Sequence, residues 1–146
     1  GWGGADPVRA QEDVRQAVER LCREHPVDPA RIVLGGFSGG ATAALNALFL
    51  ETVPAAGFVC LCAGDKVDGL TPENLARAKA RGVRGVLLEG ETNWPDEEEQ
   101  ASLDAMRAAG LAVEFVLNPD VGHAVPADFP ARIGRALDFV LRGAPA

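Results

Sequence analysis

The chain has 146 residues, an apolar fraction of 47% and a formal net charge of −7. This length predicts a single domain over residues 1–146, and this composition is typical of a soluble globular protein. The acidic pI near 4.8 argues against a nucleic-acid partner. No apolar run approaches the roughly 18 residues that a membrane span requires.

Helix and strand patterns alternate along the sequence, and Asp6 and Thr71 are candidate N-caps. The predicted helices cover 8–24, 41–50, 71–80, 96–109 and 129–142. The predicted strands cover 31–36, 55–64, 83–90 and 111–118. This alternation predicts an α/β fold, with a parallel sheet of about four strands and helices on both faces. Because four strands are few and the chain opens on a helix, we expect the C-terminal part of a larger fold.

Residues 36–40 read GFSGG, a G-x-S-x-G pattern between an apolar strand and a segment of helix formers. The flanking glycines leave room for a sharp turn that lifts the Ser38 hydroxyl above the sheet. The alternative is a glycine-rich loop that binds phosphate, which needs either G-x-G-x-x-G or a Gly-Lys-Ser/Thr ending. Neither occurs here, so we interpret Ser38 as a nucleophile.

The stretch VDPARIVLGGFSGGATAAL (27–45) resembles the sequence around the nucleophile of α/β-hydrolases, especially carboxylesterase, phospholipase-like and dienelactone-hydrolase-like members. The likeness continues in the same order through GVLLEGE (85–91) to VGHAVPADF (121–129). In this family four strands normally precede the nucleophile strand, and no such strands are found here. The resemblance therefore implies a partial α/β-hydrolase fold that lacks the usual N-terminal strands.

A serine hydroxyl becomes a good nucleophile only when a neighbouring base accepts its proton, and the chain has two histidines. His123 follows the last predicted strand, at the sheet edge where Ser38 emerges. It also comes after Ser38, as in the family, so the resemblance implies that His123 is the general base. His25 lies at a helix end before the nucleophile strand, where we expect a surface or capping role.

The sequence departs from the family at the position of the triad acid. In relatives it is usually an aspartate three residues after the glycine that corresponds to Gly90, and Asn93 occupies that position here. Three possibilities stay open: Asp96 serves from one turn further on, Asn93 serves weakly, or the site is impaired. Asn93 is also a candidate N-cap for the next helix. The remaining candidates are Asp65 and Asp68 as fallback acids, and Asp120, which we expect in a turn.

The oxyanion formed during attack on a carbonyl needs hydrogen-bond donors. We expect one from the backbone N–H of Gly39 at a helix N-terminus, with Phe37 as part of the same elbow. In relatives the second donor comes from an earlier loop. The GWGG stretch (1–4) is a poor match for that loop, because it leads directly into the helix before the nucleophile strand.

Together these observations predict a carboxylesterase-type serine hydrolase that cleaves a small ester through an acyl-enzyme on Ser38, with no metal or organic cofactor. The alternative is a catalytically impaired or truncated binding module with the same fold. A sheet that begins in mid-fold would expose a strand edge, so we expect a homodimer or pairing with another chain. Cys22, Cys60 and Cys62 lack metal-ligand spacing, and we expect them to be core residues of a cytoplasmic protein.

Overall fold

The computed structural model describes residues 6–142, and it confirms the α/β fold class. The strands of the sheet are Val33–Phe37 (β1), Gly57–Leu61 (β2), Arg84–Gly90 (β3) and Ala112–Asn118 (β4). The helices are Pro7–Glu24 (α1), Gly39–Phe49 (α2), Pro72–Ala80 (α3), Glu97–Ala108 (α4) and Phe129–Leu141 (α5). None of these helices is both long enough and apolar enough to span a bilayer.

The four strands of the described part are parallel and follow one another across the sheet in the order β1-β2-β3-β4. Right-handed crossovers that advance in one direction place their helices on the same face. Accordingly, α2, α3 and α4 share one core cluster with the sheet, and α5 packs against the opposite face. The carboxyl ends of all four strands meet at one edge, which is where the candidate site lies.

The local signals in the sequence explain where most elements begin. The Asp6 carboxylate accepts a hydrogen bond from the Val8 N–H at 3.0 Å, and the Thr71 hydroxyl accepts one from the Asn74 N–H at 3.2 Å. Both predicted N-caps are therefore confirmed. The second strand is shorter than expected, because Cys62 has a φ of 53° and leaves the extended conformation directly after Leu61.

The cysteines divide into two groups. Cys60 and Cys62 are buried as expected, but Cys22 is exposed, so the prediction that it is a core residue is wrong. Cys22 lies near the end of α1, which packs on α2 and buries none of its residues fully. The apolar periodicity of this helix therefore marks a face that is only partly covered by the described residues.

Candidate active site

The structure places Ser38 on the strained turn that the G-x-S-x-G pattern predicts. Its backbone has φ 56° and ψ −124°, a conformation that residues with a side chain rarely adopt. Its N–H continues the sheet by donating to the Leu61 carbonyl at 2.9 Å, and its own carbonyl accepts from the Ala41 N–H at 2.9 Å to begin α2. The side chain makes no capping hydrogen bond, so the hydroxyl is available for chemistry.

The two outer glycines of the motif have different roles. A Cβ on Gly36 would lie 2.3 Å from the carbonyl carbon and oxygen of Gly40, so only glycine fits there. A Cβ on Gly40 would meet no atom within 4 Å. The tight turn therefore requires the bare Cα of Gly36, while Gly40 contributes the backbone against which Gly36 packs.

His123 lies beside Ser38, although 85 residues separate the two in sequence. Its Nε2 is 3.0 Å from the Ser38 Oγ, which is hydrogen-bonding distance. The Phe37 ring packs against the imidazole, with ring centroids 5.0 Å apart and planes inclined by 46°. A base and a hydroxyl in this arrangement can transfer a proton as the hydroxyl attacks an electrophile.

The loop that carries His123 is tied to the turn after β3. The Thr92 N–H and hydroxyl both donate to the Val121 carbonyl, each at 3.0 Å. The Glu91 carboxylate accepts from the Asp120 N–H at 3.2 Å, and Asp120 adopts the φ of 57° expected for its turn. A Cβ on Gly90 would lie 2.0 Å from the Gly122 carbonyl oxygen, so the two loops are in close backbone contact.

The structure does not bring an acid to His123. Asp96 is the N-cap of α4, and its Oδ1 accepts the Glu99 N–H at 2.9 Å. Asn93 ends a short 3-10 turn, Glu91–Asn93, so the prediction that it caps α4 is wrong: the helix starts one turn later, where Asp96 has the required side-chain geometry. Within residues 6–142, no carboxylate hydrogen-bonds to the imidazole of His123.

The other candidate residues lie outside this contact. Asp65 and Asp68 are exposed, and Asp68 pairs with Lys66 at 3.6 Å. His25 is exposed and caps the end of α1 through its backbone, as expected. Gly39 is the first residue of α2, so its N–H has no acceptor within the helix and lies at the helix N-terminus, where negative charge is favoured. The GWGG stretch lies outside the described residues.

Sequence reasoning missed two fully buried acids next to this site, Glu89 at the end of β3 and Glu99 in the first turns of α4. Both residues are 0% exposed. Two patterns could have revealed them. Glu89 interrupts an apolar strand, and Glu99 precedes Leu103 and Met106 at the i, i+4, i+7 spacing of a buried helix face.

An apolar groove of about 390 Å³ begins at the elbow and continues along β1 toward α5. Phe37 and Val125, which are close in sequence to Ser38 and His123, line its end, and Phe129 and Ile133 form its far wall. A larger cavity of about 810 Å³ lies between α3 and α4, but none of its lining residues belongs to the serine–histidine site. Of these two cavities, only the groove is lined by residues of the elbow, Gly36 and Phe37.

Comparison with solved structures identifies the fold. An uncharacterized protein from Bacillus cereus ATCC 10987 superposes with a TM-score of 0.81 at 20% identity, over 98% of this chain and 46% of its own length. Arabidopsis thaliana SOBER1 gives 0.69 at 20% identity, over 92% of this chain and 64% of its own. A Bacillus cereus carboxylesterase gives 0.62 at 17% identity, over 92% and 62% respectively.

The chain therefore has the fold of the α/β-hydrolases, and the fold that the sequence resemblance implied is confirmed. It spans between about half and two-thirds of the length of these three structures. Comparison of the sequence with protein-family models and with curated proteins gave no match.

Proposed function

We propose that this chain carries the nucleophile and the general base of a carboxylesterase-type serine hydrolase. The observation that supports the proposal most strongly is the 3.0 Å contact between His123 Nε2 and Ser38 Oγ, with the serine held at a φ of 56°. Strained backbone at a reactive residue is typical of functional sites, because surrounding structure must stabilise it. One of the solved structures with this fold is a carboxylesterase, and this is consistent with the proposed chemistry.

In this mechanism, His123 Nε2 accepts the Ser38 hydroxyl proton while Oγ bonds to the carbonyl carbon of a small ester. The Gly39 N–H donates to the resulting oxyanion. The intermediate collapses when its carbon–oxygen bond to the alcohol breaks, and the imidazolium returns its proton to the leaving alcohol. His123 then deprotonates a water molecule that attacks the acyl carbon. The bond between this carbon and Ser38 Oγ breaks, the imidazolium returns the proton to Oγ, and the acid is released. The apolar groove beside Phe37 would hold the acyl portion.

Hydrolysis of short-chain p-nitrophenyl esters tests this proposal. We expect turnover by the wild type and its loss, by a factor of about 10³ or more, in Ser38→Ala. Ser102, the other serine of the chain, is buried in α4 and provides the matched control. Ser102→Ala should hydrolyse the ester at nearly the wild-type rate. Equal turnover in Ser38→Ala and the wild type would contradict the proposal.

A second candidate function is a binding module that retains the fold with an impaired site. The observation in its favour is that no carboxylate of the described chain hydrogen-bonds to His123, and an amide in place of the acid lowers turnover by about 10⁴ in a serine triad. Turnover in Asn93→Asp separates the two candidates. An impaired site predicts a gain of about 10³ or more, whereas the esterase proposal predicts no such gain.

We also propose that the edge of β1 pairs with another strand, from a second copy or from an additional chain. Within the described residues, β1 has β2 as its neighbour on one side and no strand on the other. Unpaired backbone groups along such an edge favour strand addition. Size-exclusion chromatography should give a species larger than the 15.2 kDa chain, and a well-behaved monomer would count against this pairing.

A further inference from the structure

Glu89 and Glu99 face each other beneath the turn that joins β3 to α4. Both are fully buried, and each carboxyl group shifts the pKa of the other, as two carboxyl groups that lie close together do. One oxygen of Glu89, Oε1, accepts the Gly90 N–H at 2.6 Å. Its Oε2 and both oxygens of Glu99 accept no well-formed hydrogen bond among the described residues, although the Cys62 thiol and the Asn93 amide lie near Glu89 and the Ala63 N–H lies near Glu99. The two groups can satisfy each other only if one of them carries a proton.

Electrostatics requires the same proton. Neither acid forms an ion pair with a Lys, Arg or His of the described chain, and two bare carboxylates in contact away from water would repel each other strongly. Burial, the hydrogen bond to Glu89 and repulsion from that carboxylate raise the pKa of Glu99 to about 9. Burial alone would raise the pKa of Glu89, but hydrogen bonds from Glu99 and the Gly90 N–H outweigh it, so that pKa lies below its usual value.

The other titratable groups around the pair do not supply a positive charge. The thiols of Cys60 and Cys62 stay neutral, because burial raises the pKa of both, to about 12 for Cys62. The Asp96 carboxylate, at the start of α4, adds to the repulsion on Glu99. The Asn93 amide lies beside Glu89 and helps to stabilise its charge. At neutral pH the cluster therefore has Glu99 as the donor and Glu89 as the acceptor.

The pair lies at the base of the loop that carries His123. The Glu89 carbonyl accepts a hydrogen bond from the buried Asn118 side chain at 3.1 Å, at the end of β4 where that loop begins. Between the two acids in sequence, Glu91 and Thr92 bind the backbone of residues 120 and 121. The turn between β3 and α4 is therefore hydrogen-bonded directly to the loop that carries His123.

We propose that Glu89 and Glu99 share a single proton at neutral pH, and that this buried pair positions the His123 loop by joining the start of α4 to the end of β3. They are positioning residues, because their effect on Ser38 passes through the turn and the loop. Their part in catalysis rests on the proposed function. The shared proton and the position of His123 can both be measured in a protein without esterase activity.

The first test compares the pH dependence of stability in the wild type and in Glu99→Gln. Between the ordinary glutamate pKa of about 4.3 and about 9, the folded protein binds one proton more than the unfolded chain. Stability must therefore fall as pH rises through this window, and the unfolding equilibrium constant should rise about tenfold per pH unit relative to Glu99→Gln. Urea unfolding at pH 6 and pH 8 should show a relative change of about 100-fold.

Glu98→Gln is the matched control, because Glu98 is an exposed acid of the same helical turn. It should keep the wild-type pH dependence. If the stability of the wild type and that of Glu99→Gln depend on pH in the same way, the proposal of a shared proton is overturned. If Glu99→Gln does not fold, the wild type alone suffices. Its infrared spectrum at pH 7 should contain the carbonyl band of a protonated carboxylic acid, which disappears above pH 9, and absence of this band would overturn the proposal.

The second test measures the positioning role. The ring signals of His123 in proton NMR should shift in a step near pH 9 in the wild type, as Glu99 loses its proton, and this step should be absent in Glu99→Gln. His25, the other histidine of the chain, is exposed at the end of α1 and serves as the internal reference without such a step. A wild-type His123 signal that does not change near pH 9 would overturn the positioning role, whatever the esterase assay shows.

Discussion

The elbow around Ser38 and the turn after β3 lie at the same edge of the sheet, but they are built in different ways. The elbow is determined by residues 35–40, since close backbone packing at Gly36 forces the serine into its strained conformation. The turn depends on contacts among β3, α4 and the loop after β4. Around this turn Asp96 caps α4, Glu91 binds the histidine loop, and Glu89 and Glu99 are buried. The conformation of Ser38 is thus determined locally, whereas the position of His123 depends on tertiary contacts.

The largest effect should come from breaking the contact that joins these two regions. His123→Gln removes the base while keeping a side chain of polar character, so ester turnover should fall by about 10³-fold or more. His25→Gln is the matched control, because His25 lies at the far end of α1, and it should leave turnover unchanged. Turnover that falls equally in both variants would contradict the assignment of His123 as the base.

The elbow itself should tolerate change at one glycine but not at the other. Gly36→Ala places a methyl group 2.3 Å from the Gly40 backbone, so it should lower the free energy of unfolding by about 3 kcal/mol. Gly40→Ala adds its methyl group in open space inside α2, where alanine is favoured over glycine by up to about 1 kcal/mol. Urea unfolding of both variants measures the difference, and equal destabilisation would refute the close approach at Gly36.

The turn after β3 should respond to a new charge at Asn93. Asn93→Asp replaces an amide donor beside Glu89 with a third carboxylate, so the free energy of unfolding should fall by about 2 kcal/mol. Asn93→Ala loses the donor without adding a charge and should cost less. A stability of Asn93→Asp equal to or above that of Asn93→Ala would show that the side chain does not face the buried pair.

The smallest effect concerns the aromatic contact on the histidine. Phe37→Leu removes the ring that packs on His123, and aromatic contacts of this kind contribute about 0.5–1.5 kcal/mol, so kcat should fall about 2- to 10-fold. Phe37→Trp keeps an aromatic face and should retain most of the activity. A Phe37→Leu enzyme with unchanged kcat would mean that the loop alone holds the imidazole in place.

The parallel sheet and the order of its elements could be predicted from local patterns. The glycines around Ser38 and the caps at Asp6 and Thr71 are signals of this kind. The contact between Ser38 and His123 was expected from the order of these residues in the family that the sequence resembles, since 85 residues separate them. The structural role of the Asn93 side chain could not be predicted, since it depends on where α4 starts and on which groups lie near Glu89. The burial of Glu99 could not be predicted either. Acidic residues are favoured in the first turn of a helix wherever they point, and only the packing of α4 shows that Glu99 lies on its buried face.

Reaction of the full chain with a fluorophosphonate probe tests the central claim most directly, because the probe phosphonylates an activated serine without requiring a known substrate. We predict that mass spectrometry of the labelled protein finds one adduct, on the peptide that contains Ser38. The adduct should persist in Ser102→Ala, form much more slowly in His123→Gln and be absent in Ser38→Ala. A folded wild-type chain without an adduct at Ser38, or with the same labelling rate in His123→Gln, would contradict the account.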